Sequence, residues 1–148
     1  MSHLFNNFDR KVAPLFKFLL ERGYREVSHS VSDSFDDGQL IYESPLLHIT
    51  IWRDRGHVAF EVRELRGYRA IGEQTLRKMI LGRDAAPELV WPDAHPYERS
   101  SNFLSEQLAT IEALFAPDRV EESLRENDAL VNEWLVAKGW GPTRKRPK

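Results

Sequence analysis

The sequence predicts an α+β domain with an N-terminal helix, a four-stranded antiparallel meander and then three helices that cover one face of the sheet. Two observations carry this prediction. Between Val31 and Leu65, two turn signals separate three runs in which apolar and polar residues alternate, which is typical of half-buried antiparallel strands. Apolar residues also recur at helical spacing before and after this stretch. Because the strands are consecutive and most helices follow them, we expect one covered and one open sheet face.

The first helix is indicated by apolar residues at helical spacing over 8–20. Pro14 lacks a backbone N–H and its ring crowds the preceding turn, so we expect the regular helix to begin near this residue. Gly23 tolerates the left-handed backbone that often ends a helix, and it predicts the helix terminus. The following residues, 24–32, alternate weakly and are expected to form an edge strand.

The remaining strands are delimited by their turns. Asp37-Gly38 supplies residues that tolerate the left-handed backbone of a tight turn, so we expect it to close the first hairpin. Serine and proline at 44–45 then end the second strand. Alternate residues are apolar in 47–52 and again in 58–62, beyond a turn that contains glycine. Each of these two strands therefore presents one apolar face, and together they predict the second hairpin.

Three helices are predicted after the sheet, because apolar residues recur at helical spacing in 76–80, 104–115 and 120–135. Ser100 and Ser101 are candidate caps for the second of these helices. A serine hydroxyl can accept a hydrogen bond from the N–H groups that the first turn of a helix leaves unpaired.

An irregular connection is predicted over residues 83–99, because three prolines interrupt any regular element there. Long loops of this kind often have a functional role. The whole arrangement predicts a single α+β domain over residues 1–140, followed by a flexible basic tail over residues 141–148.

The composition is that of a soluble globular protein, with 41% hydrophobic and 30% charged residues. The absence of cysteine excludes disulfides, thiolate metal ligands and cysteine nucleophiles. The formal charge of −2 provides no net field that would draw the chain to nucleic acid or to an anionic membrane. The first residues lack the features of a secretory signal, which predicts a cytoplasmic protein. No cofactor motif or spaced set of metal ligands is present, so we expect neither a cofactor nor a metal.

The open face of the predicted sheet is the best candidate for a binding surface. Its side chains include His48, Thr50 and Trp52 on one strand, with Glu61 and Arg63 on the partner strand. Tryptophan and arginine often carry binding energy at interfaces, and strands hold such side chains in fixed positions. These residues therefore favour a non-enzymatic module that binds a protein partner. A second interpretation stays open, in which the last helices or the 83–99 loop bury Trp52, because tryptophan is highly buried on average.

The irregular connection contributes further candidate binding residues, namely Trp91, His95 and Tyr97. Two aromatic side chains and a histidine in one loop could form a recognition loop beside the sheet. The same loop could instead be an arm that packs its aromatic side chains against the sheet, and this packing role is the favoured hypothesis.

A metal-dependent nuclease or phosphoesterase is the first alternative function. Asp54, Glu61 and Arg63 are similar to the Asp…Glu-x-Lys arrangement of a nuclease superfamily, in which two carboxylates hold magnesium. His48 would join this site as an acid or base. Arginine replaces the lysine of that arrangement, and Asp54 falls in the predicted turn, so the pattern also suits a solvated ion pair.

A nucleic-acid-binding regulator is the second alternative function. It would act through the last helix and the basic tail, and its affinity would fall steeply with salt concentration. The tail residues that would contact phosphates are Arg144, Lys145, Arg146 and Lys148.

The first part of the chain also carries a resemblance. The segment LIYESPLLHITIWRDRGHVAFEV, residues 40–62, follows a Phe- and Leu-rich helix that ends in Arg-Gly-Tyr at 22–24. In its pattern of hydrophobicity and turns, this part of the chain resembles small bacterial proteins that act as immunity proteins of polymorphic toxin systems. The resemblance implies a stoichiometric inhibitor that binds one toxin domain and has no catalytic activity of its own.

Overall fold

The computed structural model describes residues 8–32, 37–54, 57–82 and 97–139. These residues form a five-stranded antiparallel sheet in which each strand lies beside its neighbours in sequence, and helices pack against the sheet. The predicted α+β fold is confirmed. The N-terminal helix consists of a π-helical segment, Phe8–Val12, and a 3-10 helix, Ala13–Arg22. The strands are β1 (Arg25–Val31), β2 (Gly38–Glu43), β3 (Leu47–Asp54), β4 (His57–Glu64) and β5 (Ala70–Gly72), and the helices are α1 (Glu73–Leu81), α2 (Glu98–Leu114) and α3 (Val120–Ala137).

The predicted four strands are one too few, because the sequence analysis missed β5. This strand has only three residues, which is too short for an alternating pattern to be recognised. It pairs antiparallel with β4, and Ile71 lies opposite Val62 with its side chain fully buried. β5 leads directly into α1, so it places that helix against the sheet.

The 3-10 segment of the N-terminal helix begins and ends where proline and glycine predict, although a π-helical segment precedes it. Pro14 lies in the first turn of the 3-10 helix, where its missing N–H costs no hydrogen bond. Gly23 has a φ of 93° and donates its N–H to the carbonyl of Leu19, which ends the helix. The next residue, Tyr24, is buried and donates its hydroxyl to Glu112 of α2 at 2.7 Å. Burial, together with the Glu112 carboxylate, raises the pKa of Tyr24, so this hydroxyl keeps its proton.

β1 is an edge strand, as predicted, and most of its side chains are exposed. Its register with β2 shifts between Glu26 and Ser28, so the strand contains a bulge. At the opposite edge of the sheet lies the short strand β5.

The hydrophobic core lies between one face of the sheet and the helices. Phe60 of β4 stacks on Phe103 of α2, with 6.3 Å between the ring centroids. Alternate residues of each central strand point into this core, because successive side chains of a strand lie on opposite faces. The buried core residues of the central strands are Leu40, Tyr42, Leu47, Ile49, Ile51, Phe60 and Val62.

A buried ion pair joins α1 to α2. The Nε and Nη2 atoms of Arg77 donate to the same carboxylate oxygen of Glu73, at 2.9 and 2.7 Å. The second oxygen of Glu73 accepts the hydroxyl proton of Ser100 at 2.6 Å, and Arg77 also donates to the carbonyl of Arg99 at 3.0 Å. The guanidinium carbon lies 4.3 Å from the ring centroid of Phe103. Both charged side chains are therefore buried with hydrogen-bond partners.

The predicted caps of α2 are wrong. The helix begins at Glu98, so Ser100 and Ser101 lie inside its first turn. Ser100 bonds to Glu73, while the hydroxyl of Ser101 donates to the carbonyl of Glu98 at 3.2 Å. A serine near a predicted helix start is a good cap candidate, but only the tertiary structure reveals the buried carboxylate that Ser100 bonds instead.

α3 packs on the other helices and buries Val120, Ser123, Leu124 and Leu130. The hydroxyl of Ser123, which is buried, donates to the carbonyl of Leu114 at 2.8 Å and so joins α3 to the end of α2. α3 has 18 residues and is the longest helix that the structure describes. Within the described residues, no helix combines the length and the apolar character that crossing a membrane requires.

The predicted turn at Asp37-Gly38 is wrong in one respect. Gly38 is the first residue of β2, paired with Val31 of β1, and it is not among the glycines with positive φ. Gly38 is therefore a strand residue and not a turn residue. A Cβ atom built on Gly38 would overlap the ring of Phe8, which is fully buried. The residue is thus constrained by side-chain packing and not by turn geometry.

We expect Gly38→Ala to lower the free energy of unfolding by about 1–3 kcal/mol, because the added methyl group must displace the packed Phe8 ring. Urea denaturation followed by circular dichroism would measure the change. Gly72→Ala is the matched control, since a Cβ built there has no neighbouring atom within 4 Å. Equal stabilities of the two variants would contradict the packing role of Gly38.

Candidate binding surface

Five of the predicted site residues lie together on one face of the sheet. His48 of β3 pairs with Arg63 of β4, Thr50 pairs with Glu61, and Trp52 lies one pair further along the same hairpin. Directly opposite residues of an antiparallel pair share a face, so the register alone brings these side chains together. We call this set, His48, Thr50, Trp52, Glu61 and Arg63, the polar face. It is the sheet surface opposite the core.

The polar face is partly accessible. Trp52 is half-buried, between Gln39 of β2 and Ala59 of β4 in the ladder. His48, Glu61 and Arg63 are also half-buried, whereas Thr50 at the centre of the sheet is 9% exposed. The sequence leaves open whether Trp52 is exposed on the open sheet face or buried by other parts of the chain. In the structure the side chain is partly exposed, which is intermediate between these two interpretations.

A row of polar side chains crosses four strands on this face. Arg25 of β1 pairs with Glu43 of β2, Glu43 pairs with His48, and His48 pairs with Arg63. The Nδ1 atom of His48 lies 2.8 Å from a carboxylate oxygen of Glu43, and the guanidinium of Arg25 is 3.7 Å from the other oxygen. The Glu43 carboxylate therefore lies between the Arg25 guanidinium and the His48 ring, and its contact with Nδ1 orients the histidine ring.

Arg63 has a structural role that the sequence analysis did not predict. Its Nη1 atom donates to the carbonyls of Glu64 and Leu65 at 3.2 Å and of Gly67 at 2.6 Å. These bonds hold the turn that leads from β4 towards β5. Arg63 therefore fixes this turn in addition to lying in the polar face.

Tyr68 is a candidate site residue that the sequence analysis missed. It follows the turn held by Arg63, and its side chain is 90% exposed. A tyrosine directly after Arg-Gly is the only sequence signal, and it does not reveal exposure. Tyrosine is one of the residue types that most often carry binding energy at interfaces, so this exposed side chain next to the turn held by Arg63 is a candidate contact.

The predicted loop residues do not join the polar face as a group. Trp91 and His95 lie outside the described residues. Tyr97 directly precedes α2, and its hydroxyl accepts a hydrogen bond from Arg53 at 3.3 Å. Arg53 follows Ile51 by two positions and so points to the core side of β3, where Tyr97 packs against the core. Tyr97 is thus on the opposite side of the sheet from Trp52, which favours the packing hypothesis for this residue.

The two carboxylates of the alternative metal-dependent site are not brought together. Asp54 pairs with His57, whereas Glu61 pairs with Thr50, four positions away along β3. Four residues of strand correspond to about 13 Å, which is too far for two carboxylates to share one ion. In the part of the chain that the structure describes, no three His, Asp or Glu side chains are grouped so that they could hold a metal ion.

Comparisons with known proteins found no relative of this chain. No family model, curated protein or solved structure matches the chain.

Proposed function

We propose that the chain is a non-enzymatic protein-binding module that inhibits a toxin domain by stoichiometric binding through its polar face. The segment that resembles immunity proteins, residues 40–62, supplies most of β2, all of β3 and most of β4. The polar face lies on β3 and β4, and four of its five residues belong to this segment. The fifth, Arg63, directly follows it.

The row of polar side chains across four strands is the observation that carries this proposal. Arg25, Glu43, His48 and Arg63 present charges of both signs on a backbone fixed by strand pairing. Such a surface is preorganised, so a partner with complementary charges binds it with little loss of conformational entropy. The charges favour one partner over others, and the neighbouring Trp52 provides apolar area for affinity.

Tyr68 extends the proposed contact beyond the sheet. The turn that Arg63 holds presents this side chain almost entirely to solvent, so a partner seated on the polar face can enclose it without rearrangement. In this arrangement Trp52 is a central contact, whereas Tyr68 is an anchor at the margin of the interface.

The proposal is tested by isolating the partner and measuring its affinity. The tagged chain is used to capture a stoichiometric partner from cells of the native host, and calorimetry then follows binding of the purified partner. We expect Trp52→Ala and Tyr68→Ala each to weaken binding at least about 30-fold, because truncation of an interface anchor costs about 2 kcal/mol or more. Leu20→Ala and Val136→Ala are matched controls, since both change exposed apolar side chains on helices.

Two results would contradict the proposal at different levels. If the partner binds the Trp52 and Tyr68 variants as tightly as the unmodified chain, the assigned surface is wrong. If the isolated partner has a toxic activity that an equimolar amount of the chain leaves intact, the inhibitory function is wrong even though binding occurs.

A further inference from the structure

A groove lies between α1 and α3, on the helix side of the sheet. Its volume is about 410 Å³, within the range of about 300–1,000 Å³ that small-molecule sites occupy. Its walls are Gln74, Thr75 and Lys78 from α1, Leu130, Val131 and Trp134 from α3, and Lys138, which directly follows α3. The lining combines one apolar wall with polar and basic side chains, and it is separate from the polar face.

The groove exists because the apolar stripe of α3 continues beyond the core. Leu124 and Leu130 are buried, but Val131 is 40% and Trp134 37% exposed. Residues three and four apart on a helix share a face, so Val131, Trp134 and Lys138 line the same side of α3. Beside them α1 offers Thr75 and Lys78. The last apolar residues of α3 therefore form the apolar surface of an open groove.

Two lysine ammonium groups beside this apolar surface determine which ligands the groove can bind. Lys78 and Lys138 stand on opposite helices of the groove, and the Nζ atom of Lys138 lies 5.5 Å from the ring centroid of Trp134. An anionic group between the two lysines would be attracted by both. An apolar body attached to that group would cover Trp134 and Val131, which removes their surface from water.

We propose that this groove binds a small amphiphilic carboxylate, with the size of a medium-chain fatty acid. The carboxylate lies between Lys78 and Lys138, and the hydrocarbon chain lies along Val131 and Trp134. The site does not depend on the proposed inhibitory function, because it uses helix residues on the other side of the sheet and its test requires no protein partner.

The experiment compares three probes of equal chain length by calorimetry, below the concentrations at which they form micelles. We expect dodecanoate to bind with one-to-one stoichiometry, and dodecanol and dodecyltrimethylammonium to bind at least about tenfold more weakly. Replacing both lysines, in Lys78→Gln/Lys138→Gln, should reduce dodecanoate binding to the level of dodecanol.

Apolar contacts are tested separately by Val131→Gln, which should weaken the binding of dodecanoate and of dodecanol by similar factors. Val136→Gln is the matched control, because this valine is 43% exposed on α3 and does not line the groove. Both positions are exposed, so the variants are expected to fold, and circular dichroism spectra would verify this before binding is measured.

Three results would overturn the proposal. Equal affinity for dodecanoate and dodecanol would show that the lysines do not contribute to ligand binding. Equal losses in the Val131 and Val136 variants would place the ligand elsewhere. A dimer in light scattering that Trp134→Ala converts to a monomer would show that a second copy of the chain fills the groove.

Discussion

Replacement of Arg77 by alanine is expected to lower the free energy of unfolding by about 3–5 kcal/mol. The guanidinium makes two hydrogen bonds to Glu73, one to the carbonyl of Arg99, and a contact with the face of Phe103. Its removal leaves a buried carboxylate whose remaining partner, among the residues that the structure describes, is the hydroxyl of Ser100. The loss comes mainly from this uncompensated charge. Chemical denaturation followed by circular dichroism would measure it.

An exposed ion pair provides the control for this prediction. Arg69 and Asp128 are 2.7 Å apart, and both side chains are well exposed, so Arg69→Ala should cost less than about 1 kcal/mol. The double variant Glu73→Gln/Arg77→Met should be more stable than Arg77→Ala alone, because it leaves no buried charge unpaired. If Arg77→Ala and Arg69→Ala have the same effect, the buried pair does not stabilise the α1–α2 contact as we describe.

Phe103→Ala is expected to have a comparably large effect, with a loss of about 3–5 kcal/mol. Phe103 lies between the ring of Phe60 and the guanidinium of Arg77, so its removal leaves a cavity bordered by a strand and a helix. Phe103→Leu fills part of this cavity and should cost less. Since native domains are stable by only about 5–15 kcal/mol, the alanine variant is measured at low temperature and from the lowest denaturant concentrations.

The double variant Arg77→Ala/Phe103→Ala tests whether these two side chains stabilise one shared cluster or make independent contacts. The losses in Phe103→Ala and Arg77→Ala should not add in the double variant, because each substitution removes a group that the other contacts. Leu20→Ala serves as the reference, since this side chain is 51% exposed and should change stability little. Strict additivity of the two losses would show that the guanidinium and the ring do not stabilise each other.

The β3–β4 hairpin could be predicted from sequence because both strands are half-buried. One face of such a strand meets the core and the other meets solvent, so the alternation in 47–52 and 58–62 encodes both the strand and its orientation. The same period of two placed the five residues of the polar face together. Register in a hairpin follows from these local patterns, which is why this part of the candidate site needed no tertiary information.

The missed features depend on contacts between distant parts of the chain. β5 is too short to show alternation, and Gly38 is small because of Phe8, which is 30 residues earlier in the sequence. Ser100 finds its acceptor on another helix. The side of the sheet on which Tyr97 lies, and the exposure of Tyr68, also follow from tertiary packing, and no pattern in the local sequence encodes either.

The two edges of the sheet affect how another chain can engage it. An edge strand with free backbone groups is a template for strand addition and for aggregation. Here β1 carries a bulge and charged residues such as Arg25 and Glu26, and β5 offers only three residues. A bulged edge and a very short edge are both poor templates for an incoming strand. The sheet is thereby protected against edge-to-edge polymerisation, and recognition is directed to its side chains and away from its backbone.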